Sequence, residues 1–530
     1  MTDIARFEFL LVVVSIILLL ALAARKIRLP PSTAFIGGGV ALALVPGIPS
    51  IDFSPDLVLV LFLPPLLMSS AYFTVWPAFR ANIVGIAQLA VGAVIFSTLF
   101  VGLVAHWLVP SLPWSVCFAL GAIIAPPDAV AAKSILARVR LPESLSALIE
   151  GESLLNDASS LVIYRVAIAS FLSGTFSVGH AALSFVGLAV GGVALGAVAG
   201  WGLILALRVV RDATVTICLT LLGPWLAYIL GDRLGVSGVM STVTMGLLFG
   251  WHQHTIFTPD IRIRAEAFWS IITFLLESMI FVLIGLSLRM VFSGRHALET
   301  DGGYLFVCIA GVVIAAVVAR FVWVYGGFVF ALLWRRRKGG ALAVRPAWAN
   351  AFVLSWAGMR GVVSLAVALS TPENLPGRDF ILLTTFCVIL FTVIGQGTTL
   401  GPLIRLTGLS ARQSKERPHL LGHQARLMVA TAQRVAAERL AIEPDGTIRH
   451  PRLVEQYRFR EAAGQRFVLN PDQLHADRQA HYQAVLTIIQ AGRAEILRMH
   501  RHGQIHDDIL RQLEYELDLQ EITAQTQSGA

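Results

Sequence analysis

The sequence predicts an all-α polytopic membrane protein of about 13 transmembrane helices, followed by a helical cytoplasmic tail. Three observations lead there. Hydrophobic residues make up 56% of the 530 and charged residues only 14%, with a mean hydropathy of +0.72, which is more apolar surface than a soluble core of this size needs. Apolar runs of roughly spanning length recur from residue 8 to residue 404. Basic residues gather in every second loop between those runs, as the positive-inside rule requires.

Taken in order, the segments lie near residues 8–24, 33–47, 56–74, 83–109, 115–137, 145–173, 179–207, 212–231, 235–250, 267–292, 303–334, 349–371 and 379–404. The first is preceded by Asp3 and followed by Arg25, Lys26 and Arg28. That is the reverse of a secretory signal peptide's charge order, so it reads as a retained helix with its N-terminus outside. The loops expected in the cytoplasm hold Arg80, Arg138, Arg140, Arg208, Arg211, Arg262, Arg264, the run Arg335 to Lys338, and Arg345. The opposite loops hold only Arg233, Arg289, Arg295 and Arg378.

From about Arg405 the chain turns polar and is expected to be a cytoplasmic tail. Helical stretches cover Leu420 to Ile442, Gln479 to Met499 and Gln504 to Ile522, with Ile505, Ile509, Leu513 and Leu517 at helical spacing. Eight of the 13 histidines, among them His419, His423, His475, His500, His502 and His506, fall in this tail. They read as parts of solvated helical faces rather than as a pH-responsive domain.

The net charge of +8 does not point to nucleic acid, because the basic residues sit in short clusters without a basic stripe or interleaved aromatics. Cys117, Cys218, Cys308 and Cys387 lie within apolar runs and lack metal-ligand spacing. Neither a disulfide framework nor a zinc site is expected, and buried filler is the reading for all four. No enzyme cofactor is implied.

An ionisable side chain inside a bilayer costs several kcal/mol unless paired or hydrated, so each one there is a candidate for function. Three regions hold nearly all of them. The first is Glu150-Gly-Glu-Ser-Leu-Leu-Asn-Asp157 in the sixth segment. Helical spacing sets Glu152 beside Asn156 and Ser153 beside Asp157 on adjoining stripes of one face. A carboxylate, a hydroxyl and a carboxamide together offer hard oxygen ligands to a small cation, and the carboxylate can take a proton instead. The bland alternative is that Glu152 and Asp157 are structural members of a charge pair.

The second region is Ala125-Pro-Pro-Asp128 in the fifth segment. Pro126 and Pro127 remove two backbone donors and break the helix in mid-bilayer, freeing carbonyls and helix ends to face an ion. Asp128 sits beside that break, either as part of a site or as a cap on a kink. The third is Gly358-Met-Arg-Gly361 in the twelfth segment, which looks like the counterpart break of a second repeat. Inverted repeats of six helices each, joined by the seventh, would cross the fifth and twelfth segments with opposed half-helix dipoles, and Arg360 would neutralise the ends that meet. Arg320 and Glu277 are the remaining strong intramembrane charges, Arg320 being expected to pair with Glu152 or Glu277. Arg165, about 12 Å along the helix from Asp157, has no role assigned.

With these residues assembled, the sequence resembles the sodium/proton exchanger branch of the cation/proton antiporters in its bacterial form, over roughly residues 5 to 405. Four stretches carry the resemblance: Phe62-Leu-Pro-Pro-Leu-Leu67, Ala125-Pro-Pro-Asp-Ala-Val130, Glu152-Ser-Leu-Leu-Asn-Asp157 and Gly358-Met-Arg-Gly-Val-Val-Ser364. It implies that Asp157 carries cation and proton, that Ser153 and Asp128 complete the cation shell, and that Asn156 is held by Glu152 and Arg320. An Asn-Asp pair at this place implies one cation for one proton. It further implies a homodimer in a bacterial inner membrane, with a scaffold at about 1–80 and 212–292 and a moving core at about 83–173 and 303–404, all within a transport domain of residues 1–404 and followed by the tail at 405–530. Two departures stand out: many relatives have Thr-Asp-Pro where this chain has Pro127-Asp128-Ala129, and many have an acidic residue in place of Ser69.

Two other readings compete. An intramembrane protease could use Gly235-Val-Ser-Gly238 or the pair Asp128 and Asp157, but the nearest downstream histidines, His252 and His254, fall in a predicted loop, and Gly-x-Ser-Gly is ordinary helix packing. A cation channel suits a single asymmetric carboxylate flanked by two broken helices less well than a site with alternating access does.

Overall fold

A computed structural model describes residues 3–27, 29–46, 55–128, 141–174, 177–210, 212–289, 302–337, 344–407, 418–441, 449–469, 471–502 and 504–528. Arg28, Arg138, Arg140, Arg211, Arg295 and Lys338, on which the topology reading leans, lie outside these ranges, as do residues 129–137 of the fifth segment and 290–292 of the tenth. The fold is all-helical, and the chain separates into two units, Met1–Ser414 and Lys415–Ala530.

The first unit comprises α1 (Asp3–Ile27), α2 (Pro31–Leu44), α3 (Pro55–Tyr72), the short α4 (Trp76–Ala81), α5 (Ile83–Leu108), α6 (Trp114–Ile124), α7 (Glu143–Ser173), α8 (Val178–Val209), α9 (Ala213–Arg233), α10 (Gly238–Ile256), α11 (Pro259–Leu286), α12 (Gly302–Arg337), α13 (Val344–Trp356), α14 (Val362–Leu369) and α15 (Arg378–Thr407). Among the described residues, seven of these are long and apolar enough to cross a membrane, while α2, the apolar part of α3, and α6 are shorter. Polar caps set several ends. The Asp212 side chain accepts from Val215 N at the start of α9, Ser237 does the same for Met240 N at the start of α10, and Gly174 closes α7 in the left-handed region.

α3 lies against α9, α10 and α11, with α2 along α11 and α8 along α10. A second set, α5, α6, α7 and α12 to α15, packs around α6 and α7. The two sets meet where α3, α8 and α10 touch α7, where α3 and α11 touch α14, and where α2 touches α15.

The structure departs from sequence expectation in several places, each for a physical reason. α10 runs on to Ile256, so His252 and His254 are helical rather than in a loop. Polarity ends an apolar run there but not the backbone ladder, and Gln253 on the same turn donates to the Tyr72 carbonyl (3.5 Å). Cys218 is exposed, whereas Cys117 and Cys308 are buried and Cys387 is intermediate. It lies on the face of α9 that carries exposed Val215, Leu222 and Leu226, a face suited to lipid, where a small apolar side chain is tolerated as well as in a core. α5 and α15 each contain a π-helical turn, Gln88–Ala93 and Phe391–Gln396, for which an apolar sequence gives no signal. Arg165 forms an exposed ion pair with Asp232 of α9 (3.2 Å).

The second unit contains α16 (Pro418–Ala441), α17 (Pro451–Leu469), α18 (Pro471–Arg501) and α19 (Asp507–Ser528). α16 packs on α17 and α18 on α19. α17, whose mean apolarity is low, has no counterpart among the helical stretches named from the sequence. Ile505, Leu513 and Leu517 are partly covered, but Ile509 is exposed and Leu510 takes the place expected of it. Glu438 joins the first pair of helices by bonds from Arg434 and Arg458. The hydrogen bond from Arg458, with a further one from Arg434, holds the Glu438 carboxyl below the usual carboxylate range. The His500 ring meets Asp507 (2.6 Å) across the connection between α18 and α19. The side chains of His419, His423 and His475 lie outside the described set.

Candidate functional site

α6 ends at Ile124, and residues 126–128 are not helical. A proline cannot donate to the ladder, so two in succession leave the carbonyls of the preceding turn without their usual partners. The twelfth segment loses helical geometry between Trp356 and Val362, splitting into α13 and α14. These two non-helical stretches meet: Asp128 N donates to the Met359 carbonyl (2.7 Å). A bond between two breaks satisfies one orphaned group from each, which a buried backbone requires.

The glycines of the second break are needed for close approach. A Cβ on Gly361 would overlap the Asp128 Oδ2 carboxylate oxygen, and one on Gly358 would overlap Cδ of Arg320. Asp128 therefore lies against the start of α14, where the helix dipole presents its positive end.

Beside this crossing is a cavity of about 50 Å³ lined by Asp128, Ser153, Asp157 and Ser364, with Phe62, Leu63, Leu66 and Leu67 of α3 among its apolar walls. A single water needs roughly 10–15 Å³ measured in this way, so the space suits a small cation with a few waters. With Ser70 of α3 also in the lining, two carboxylates and three hydroxyls are hard oxygen donors, the kind an alkali cation takes. Asp157 is 8% exposed, and α7 places it one helical turn beyond Ser153, so both reach the same wall.

Of the four residues singled out for ion binding, Asp128, Ser153 and Asp157 share the cavity wall, and Asn156 does not. One residue along a helix is a turn of about 100°, which carries Asn156 round toward α6. There its Nδ2 donates to the Pro127 carbonyl (2.6 Å), while its buried Oδ1 meets no hydrogen-bond partner among the described residues. This differs from the expectation that Glu152 and Arg320 hold it. Ser160, one turn further along α7, donates to the Ala122 carbonyl (2.8 Å) and secures the last turn of α6.

Arg320 and Glu152 form a two-pronged pair, Nη1 to Oε1 at 2.6 Å and Nη2 to Oε2 at 2.9 Å, while Arg320 Nε donates to the Leu354 carbonyl near the end of α13 (3.1 Å). The pair is almost completely buried, at 4% and 1% exposure. It ties α7 to both α12 and the second broken helix. Glu277 is half-buried on α11. Arg360 is buried and turns its Nη1 back to the Gly358 carbonyl (3.0 Å), placing a cation at the break itself.

Two residues of the site escaped sequence reasoning as functional positions. Ser364 lies one turn beyond Gly361 on α14, which a helical reading of that stretch could have shown. Thr392 accepts from Arg360 N (3.0 Å), and no local signal marks it, because it arrives from another helix.

The profile of the family described as "Sodium/hydrogen exchanger, transmembrane" matches residues 11–406. The "Na(+)/H(+) antiporter NhaP" of Pseudomonas aeruginosa is 33% identical over 407 residues, covering 72% of this chain and 92% of the relative. The "Sodium, potassium, lithium and rubidium/H(+) antiporter" of Bacillus pumilus is 31% identical over 373 residues, and the match takes in 68% of this chain but only 55% of that longer protein. In fold, the chain is similar to the solved sodium proton antiporter MjNhaP1 of Methanocaldococcus jannaschii at pH 8, with a TM-score of 0.62 at 20% identity, covering 77% of this chain and 100% of that one.

Proposed function

Because the chain belongs to the sodium/hydrogen exchanger family, we propose that this multi-pass membrane protein exchanges sodium for protons by alternating access, with Asp157 binding the cation and the proton in competition. The observation that carries the reading is the cavity where two broken helices cross, with Asp128, Ser153 and Asp157 in its lining. Asp157 is the carrier and Ser153 and Asp128 complete the cation shell. Asn156 holds the freed Pro127 carbonyl, and so fixes the break from which Asp128 projects. Arg360 offsets the partial charges of the half-helix ends, and Glu152 with Arg320 braces α7 against the second broken helix.

An uncharged Asn156 next to Asp157 is what the family resemblance ties to one cation for one proton, with Asp157 the carboxylate that changes its charge in each cycle, so the exchange is electroneutral. The scaffold is residues 1–80 and 212–292, and the moving core is 83–173 and 303–404. The two inverted repeats supply one broken helix each, and two copies pair through their scaffolds in a bacterial inner membrane, N-terminus outside and tail inside. Sodium is the first cation to test, with lithium and potassium next, since the hydroxyl that many relatives place before the aspartate is replaced here by Pro127.

Neither rival is favoured: an aspartyl pair of Asp128 and Asp157 leaves Glu152, Ser153 and Asn156 without a role. Ser237 is engaged as the cap of α10, and His252 lies about 22 Å further along that same helix, beyond reach as its base. A channel needs a continuous polar path, whereas Phe62, Leu63, Leu66 and Leu67 make one wall of this cavity apolar.

The test is a vesicle with an imposed pH gradient, an internal pH dye and sodium, lithium or potassium added separately. Sodium should dissipate the gradient at a rate unchanged by clamping the membrane potential. No response to any cation from inserted, folded protein would rule exchange out, and a potential-dependent rate would rule out the one-for-one ratio. In the same assay Gly361→Ala should raise the half-saturating sodium concentration by about tenfold, the equivalent of the lower end of an overpacking penalty, because the new methyl displaces the Asp128 carboxylate. An unchanged half-saturation would show that Asp128 is not held at the site by that contact.

A further inference from the structure

The peptide unit that joins Met359 to Arg360 is gripped on both edges. Its carbonyl accepts from Asp128 N at 2.7 Å, and its N–H donates to Thr392 Oγ1 at 3.0 Å. Thr392 passes its own proton to the Val388 carbonyl at 2.8 Å, with the Ile389 carbonyl at 3.2 Å as the alternative acceptor. The result is one chain of hydrogen bonds from α15, through the second break, to the backbone of the first. Met359, Arg360 and Thr392 are all 2% exposed or less, so none of these three has water to fall back on. Thr392 is the second residue of the π-helical turn Phe391–Gln396, and π-turns occur mostly as single interruptions near functional sites.

We propose that Thr392 is a positioning residue for the ion site: its hydroxyl orients the Met359–Arg360 peptide and thereby sets where Asp128 stands on the cavity wall. The inference rests on the antiporter reading and on Asp128 as a cation ligand. A hydroxyl is required because it must accept and donate at once, and linked bonds of this kind polarise one another. Without it, Arg360 N becomes a buried donor lacking a partner, which is costly enough to make the peptide turn in search of one. Any such turn moves the Met359 carbonyl. That carbonyl is what Asp128 N is bonded to, and Gly361 leaves the Asp128 carboxylate no slack on the other side.

The test compares Thr392→Val, which keeps the shape and removes the hydroxyl, with Thr392→Ser, which keeps the hydroxyl, in the full-length protein in vesicles. Initial exchange rates are read against sodium and, separately, lithium. Thr392→Val should raise the half-saturating sodium by about tenfold, the equivalent of one lost hydrogen bond, and should change the ratio of the sodium to the lithium value. Thr392→Ser should bring the half-saturation back to within about threefold of wild type.

A role in folding alone predicts something else: less active protein, hence a lower maximal rate with unchanged half-saturation for both cations. That outcome overturns the proposal, as does a serine variant as impaired as the valine one. If Thr392→Val is not recovered folded, Thr392→Ala and Thr392→Cys carry the same comparison with serine. Failure of the antiporter reading is recognised separately, because wild type would then show no exchange with any cation.

Discussion

Asp157→Asn is expected to reduce sodium-driven proton movement in vesicles to the level of protein-free vesicles, while leaving the protein folded and inserted. The substitution keeps size and shape on a side chain that is 8% exposed, so packing along α7 should survive. What goes is the ability to alternate between a charged oxygen ligand and a protonated, neutral one. A carboxamide still offers an oxygen, but it neither takes up a proton in this pH range nor neutralises a cation crossing a low-dielectric region. Ser153 on the same wall can still solvate an ion but cannot titrate. Thermal unfolding and gel filtration of the purified variant check the fold. A variant that exchanges as fast as wild type would remove Asp157 from the carrier role.

The second large effect belongs to the buried pair. Truncating Arg320, as in Arg320→Met, leaves the Glu152 carboxylate alone at 1% exposure, and Glu152→Gln leaves the guanidinium alone at 4%. Orphaning one member of a buried, doubly bonded ion pair costs about 3–5 kcal/mol, whereas replacing both members is often close to neutral. Each single variant should therefore lower the unfolding midpoint strongly, and the double variant should recover a large part of the loss. Exchange should fall in the singles as well, because Arg320 also holds the Leu354 carbonyl at the end of α13 (3.1 Å). Single variants as stable as wild type, or a double variant worse than their sum, would contradict a bracing role.

The sequence made the buried charges visible and left their partners undetermined, and the reason is physical. Asp128, Glu152, Asp157, Arg320 and Arg360 interrupt apolar runs, and the cost of a charge there is a local property that needs no knowledge of the fold. Pro126 and Pro127 are likewise readable, since the missing donors are covalent facts. The partners are not local. Asn156 and Pro127 are 29 positions apart, and Arg360 and Thr392 are 32 apart, so only the packing of α7 on α6 and of α15 on the second break brings them together.

Helix faces were harder still. Hydropathy treats a lipid-facing position and a core position alike, which is why Cys218 was expected to be buried. The stretch from His252 to Ile256 shows the converse error, where polar side chains hid a helix that its backbone continues. In the tail, α17 is less apolar on average than its neighbours, and Ile509 had the right spacing on the uncovered face.

Competition at a single carboxylate is the central claim, and the dependence of sodium affinity on pH tests it most directly. Initial rates of exchange in vesicles would be measured against sodium at a series of pH values, on the acidic side of the activity range. If sodium and the proton share Asp157, the half-saturating sodium concentration should rise by about tenfold for each pH unit of acidification, and saturating sodium should restore the same maximal rate. A half-saturation that does not move with pH, or a maximal rate that acid depresses beyond rescue by sodium, would mean that the two ions bind at separate places.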